Sequence, residues 1–104
     1  MSKQKELDVS KFFENVPTKV VIKKLTFGEL VDIKDNTPMG IDKITQVPKE
    51  LEGQAALMFM QSSIVSAPFI KGTKATIEEV RNIEFDLGTF LVAEIYKFNG
   101  LSPN

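Results

Sequence analysis

Five prolines, at positions 17, 38, 48, 68 and 103, set how far any regular element in this chain can run. Proline has no backbone N–H, and its ring clashes with the preceding helical turn, so helices end at or before it. Between these stops the local patterns are legible. Thr18 to Leu25 is rich in β-branched residues, with Val20 and Ile22 on one side and Val21 on the other, and reads as a strand. A lone strand leaves its backbone groups unpaired. Its mate is therefore either the segment before Pro17 or a second subunit.

Thr26-Phe-Gly-Glu29 is a capping box, with Leu25 and Leu30 at the hydrophobic-staple positions, and predicts a short helix over 27–35. Residues 36–48, with Pro38, Gly40 and Pro48, read as an irregular connection of a length usually found in functional or mobile loops. A second helix is expected from Lys49 to about Ala67. It carries two apolar stripes. Leu51, Ala55, Met58, Ser62 and Val65 form one; Leu57, Met60 and Ile64 form another on nearly the opposite side. Either the helix is central and packed all round, or the second stripe, with its adaptable methionine, meets another chain.

Thr76-Ile-Glu-Glu79 is a second capping box, opening a third helix with Ile77, Val80 and Ile83 on its inner face. Asp86 reads as an N-cap, with Phe85 and Phe90 in staple positions. The fourth helix, about 87–99, has an inner stripe of Leu87, Leu91, Ile95 and Phe98. Asn99-Gly100-Leu101 fits a Schellman end. The expected fold is α+β and mostly helical: one or two short N-terminal strands, then about four helices packed as a small bundle. Residues 1–17 read as a flexible N-terminal arm and 18–104 as one domain.

The chemistry open to such a chain is narrow. It has no Cys and no His, which excludes disulfides, thiolate or imidazole metal ligands, and every triad with a histidine base. No catalytic residue, metal site or cofactor is expected. The acid pairs Glu50/Glu52 and Glu78/Glu79 stand where acids favour the positive end of a helix dipole. No P-loop, G-x-G-x-x-G or G-x-S-x-G motif occurs. Glu94 alone interrupts an apolar stripe, between Phe90 and Phe98. It reads as an edge position partly in water, pairing with Lys97, or as a charge at a subunit contact. The longest apolar run, Ala55 to Met60, is too short to cross a bilayer, and no signal peptide is recognisable.

Thirteen basic against fourteen acidic residues leave a net charge of -1, which disfavours polyanion binding. Six lysines (Lys3, Lys5, Lys11, Lys19, Lys23 and Lys24) nonetheless crowd the first 24 residues. They allow an alternative reading as a small nucleic-acid-associated regulator with a basic arm. With catalysis and specific nucleic-acid recognition both disfavoured, protein–protein interaction is the default. Its candidate surfaces are Phe12 and Phe13 on the arm and Leu57, Met60 and Ile64 on the second helix.

The order of these features resembles one family. A strand ends in Lys24-Leu-Thr-Phe-Gly-Glu-Leu30, and after a loop a helix closes with Ser62-Ser-Ile-Val-Ser-Ala-Pro68. A capped Thr76-Ile-Glu-Glu-Val80 helix follows, and the last helix ends Ile95-Tyr-Lys-Phe-Asn-Gly-Leu-Ser102. Over residues 18–102 this is similar to the tail assembly chaperones of long-tailed bacteriophages. The resemblance implies a non-catalytic protein of the host cell cytoplasm. Such a protein self-associates and coats the tape measure protein before tail tube subunits polymerise around it. The family often adds a longer, frameshifted form, of which this chain would be the short counterpart. A structural connector subunit of the particle is a further alternative.

Overall fold

The computed structural model describes residues 3–36 and 54–100. The elements run β1 (Gln4–Asp8), β2 (Lys19–Lys23), α1 (Phe27–Asn36), α2 (Gln54–Ser63), β3 (Ile64–Ser66), α3 (Ile77–Arg81) and α4 (Phe85–Phe98). The fold is α+β, with a three-stranded antiparallel sheet in the order β1-β2-β3.

The segment expected to be a loose arm is part of this sheet. In the sequence Lys5-Glu-Leu-Asp-Val9 only Leu7 and Val9 are apolar, but they alternate with polar residues as a half-buried strand requires. Leu7 pairs with Val20, and the Val9 N–H donates to the Thr18 carbonyl at 2.9 Å. Both side chains are buried. Of the two mates that β2 could have had, the preceding segment is the one it takes. A polar clasp sets the connection. The Asp8 carboxylate accepts from the Ser10 N–H at 2.9 Å and its hydroxyl at 2.6 Å, and Ser10 Oγ accepts from the Thr18 N–H at 3.0 Å. Glu14 and Asn15 then turn the chain with φ of 54° and 63°. This is the left-handed region, where Asn is tolerated and Glu costs energy.

The second departure lies at the end of α2. The helix was expected to continue to about Ala67, but it stops at Ser63 and passes directly into β3. Ser63 is fully buried and its hydroxyl donates to the Lys23 carbonyl at 2.7 Å. Ile64-Val65 are β-branched and favour extended backbone. Ile64 lies opposite Ile22, and Ser66 opposite Val21, with the ladder irregular between them. The expected start of this helix, at Lys49, and the expected 36–48 connection after Asn36 lie outside the described residues.

The capping boxes form as read. For α1, the Glu29 N–H donates to Thr26 Oγ1 at 3.2 Å and the Thr26 N–H to the Glu29 carboxylate at 2.8 Å. For α3, the corresponding bonds between Thr76 and Glu79 are 3.1 and 3.0 Å. At the far end of α4, Gly100 takes φ 69° and its N–H donates to the Lys97 carbonyl, one of the two bonds of a Schellman end. The start of α4 differs from the expectation. It begins at Phe85, with Glu84 as N-cap making no side-chain bond. Asp86 therefore sits inside the first turn, and Phe85 cannot staple onto Phe90.

The core joins the inner face of the sheet (Leu7, Val9, Val20, Ile22 and Ile64) to the helices through Phe59, Met60, Leu91 and Ile95. The helix α2 touches α1, α3 and α4 as well as β3, and α4 lies against β2. Tyr96 is buried with its ring edge-on to Phe59, centroids 5.3 Å apart.

Two outcomes are expected. Leu91 and Ile95 are wholly buried. Leu91→Ala or Ile95→Ala should lower unfolding free energy by about 2–5 kcal/mol in a denaturant titration. Burial pushes the Tyr96 hydroxyl up from 10.0 to about 12. A folded-state pKa raised in this way contributes stability that is fully present below pH 10 and lost as pH rises through 12. As Tyr96 is the sole tyrosine, an alkaline absorbance titration should show tyrosinate appearing late and together with loss of helical circular dichroism.

Candidate interaction surface

The structure distributes the five residues singled out as a partner surface. Met60 and Ile64 are 4% exposed and belong to the core, so neither is available to a partner. The reason is that α2 is central, touching α1, α3, α4 and β3, and that Ile64 belongs to β3 and lies opposite Ile22 in the sheet. Leu57 is half-buried and packs against the same core. Phe12 and Phe13 are half-buried against it as well. The Phe12 ring meets Phe90 of α4 with centroids 5.5 Å apart. The Lys11 ammonium lies 5.1 Å from the Phe12 ring and 5.3 Å from that of Phe90. These aromatics clamp the β1–β2 connection onto α4.

The apolar surface lies elsewhere. Phe27 is 83% exposed and Phe85 82%, each at the first position of its helix. Val31, one turn after Phe27, is also exposed. The signal for α1 was present in the sequence. At 100° per residue, a helix that turns Leu30 and Ile33 inward carries Phe27 and Val31 together on another face. For Phe85 the assumed cap at Asp86 hid it.

Three of the six N-terminal lysines form ion pairs within the chain. Lys23 meets Glu29 at 2.8 Å, Lys19 meets Glu6 at 3.2 Å and Lys5 meets Glu94 at 3.5 Å. They are therefore spread over β1 and β2 rather than gathered on a free tail. Glu94, with its side chain 17% exposed, takes Lys97 on its other oxygen, also at 3.5 Å. Its partners are intramolecular and link β1 to α4. The Lys23 side chain and the Thr26 N–H hold the Glu29 carboxyl below the usual range. That bond couples the end of β2 to the α1 capping box.

One cleft opens on this side, about 390 Å³ in volume, between the β2–α1 junction and the end of α4. Leu25, Leu30 and Phe98 supply its apolar wall, and Lys24 and Lys97 its charge. Asn99 closes one side. Its carboxamide oxygen accepts from the Leu25 N–H at 2.7 Å, and its Nδ2 donates to the Ile95 carbonyl at 2.9 Å. The Lys24 ammonium lies 5.4 Å from the Phe98 ring.

Among the described residues, no group of three or more acids could hold a metal ion. Glu79 is occupied by its capping box and by the Lys71 N–H at 2.9 Å. Glu50 and Glu52 lie outside the described residues. No helix among the described residues is long and apolar enough to cross a membrane. Comparison with protein-family models, with curated proteins and with solved structures yields no match.

The distinction between the buried Met60 and the exposed phenylalanines is measurable. Met60→Asp should abolish the cooperative unfolding transition, because it places an unpaired carboxylate in the core. Phe27→Ser and Phe85→Ser should each change stability by no more than about 0.5 kcal/mol in the same titration.

Proposed function

We propose that this chain is a non-catalytic protein-binding subunit that acts as a tail assembly chaperone, holding a tape measure protein while tail tube subunits assemble around it. The observation that carries the reading is the pair of phenylalanines left in solvent, Phe27 and Phe85. Leaving a side chain of that size exposed forgoes about 1.5–3 kcal/mol of burial. Exposed apolar clusters on small proteins commonly mark interaction surfaces. Phe27 and Val31 share one face of α1, so a partner helix could bury both at once. The order of strand, capped helix and glycine-terminated last helix supplies the link to tail assembly. A long client needs many weak, repeated contacts, which suits shallow apolar surfaces and self-association of the chaperone. The site of action under this reading is the host cell cytoplasm.

Co-expression with a tagged tape measure protein encoded beside this chain provides the test. The expected result is co-purification that Phe27→Ser/Phe85→Ser weakens strongly, while the variant's thermal unfolding matches the parent. Failure of the parent chain to co-purify with that client would overturn the assignment.

A further inference from the structure

We infer that the cleft between the β2–α1 junction and the end of α4 docks a peptide segment in which apolar and acidic residues alternate. This rests on reading the chain as a protein-binding module and names the chemistry of the segment bound.

The cleft's size, about 390 Å³, suits a few side chains. Its wall is apolar at Leu25, Leu30 and Phe98, and Phe27, from the same first turn of α1 as Leu30, stands exposed nearby in sequence. An aliphatic side chain entering here would shed water together with that wall. The polar groups around it fall into two kinds. Those of Asn99 are consumed, by the Leu25 N–H and the Ile95 carbonyl. The Lys97 carbonyl is capped by the Gly100 N–H, so it draws no cation into the cleft. The cationic groups have capacity to spare. Lys24 makes no ion pair among the described residues, and its ammonium rests near the Phe98 ring. Lys97 is exposed, and its one carboxylate partner among the described residues, Glu94, is shared with Lys5 at 3.5 Å on each side. On the first turn of α1, Glu29 is held by Lys23 and the Thr26 N–H.

Two ammonium groups at the edge of an apolar wall select a carboxylate beside a hydrophobic side chain. A nucleic-acid phosphate would satisfy the lysines but gain nothing from Leu25 and Leu30, so a peptide fits better.

The test is an NMR titration of the isotope-labelled full chain with a capped peptide alternating leucine and glutamate, and with its leucine–lysine counterpart. The acidic peptide should shift the Leu25, Asn99 and Gly100 amides. Its affinity should fall with added salt and drop about three- to fivefold in K24E and in K97E. Lys24→Arg should retain binding, and both charge-reversed variants are at exposed positions that should leave the fold intact. The inference is overturned if these amides do not move or if the lysine peptide binds equally well. It is likewise overturned if an oligonucleotide displaces the peptide, or if binding appears only after residues 101–104 are deleted, which would make the chain's own end the occupant. None of these results depends on a tape measure protein, so the cleft and the chaperone reading can fail separately.

Discussion

The strand β2 is the member on which the other elements depend. Val20 and Ile22 are wholly buried, and the strand is paired on both edges, by β1 before it in the chain and by β3 from the far side of α2. A buried strand must satisfy every backbone group. Here the satisfying groups come from distant places. Ser63 reaches the Lys23 carbonyl from the end of α2, and Asn99 takes the Leu25 N–H from the end of α4. Both of these contacts are single side-chain hydrogen bonds to the chain at or just beyond the end of β2. They fix where α2 ends, how α4 lies across the sheet and where α1 begins.

Charge works on the surface of that frame. Each N-terminal lysine with a carboxylate partner finds it on another element or strand, as Lys5 does on α4 and Lys23 on α1. Exposed pairs of this kind contribute little individually. Their effect is on arrangement, since they keep the basic end of the chain against the body. Lys3, Lys11 and Lys24 make no ion pair among the described residues, and of these Lys24 stands at the cleft where a partner's carboxylate could complete it.

The two fates of apolar residues separate stability from recognition. Met60 of α2 and Ile64 of β3 complete a core that a small domain can ill spare. Of the large apolar residues open to solvent among the described residues, Val16 lies in the β1–β2 connection, and Phe27, Val31 and Phe85 stand at or near helix starts. An exposed aromatic there can be used for binding without weakening the interior. That division suits the proposed role of holding another chain.

How much could be read in advance follows from the range of the forces involved. Both capping boxes, the left-handed Gly100 and the β2 strand were legible, because each is decided by residues within a turn or a few positions of one another. The pairing of β1, the passage of α2 into β3, and the burial of Met60 and Ile64 were not. Each depends on which distant surface arrives, and a periodic stripe looks the same whether a partner or the chain itself covers it. Leu7 and Val9 were too few to announce a strand until β2 offered its edge. The sequence by itself determined the capped starts of α1 and α3 and the glycine end of α4, through local hydrogen bonding and backbone preference. Only the tertiary structure decided which faces stay wet, because burial is a property of neighbours far along the chain.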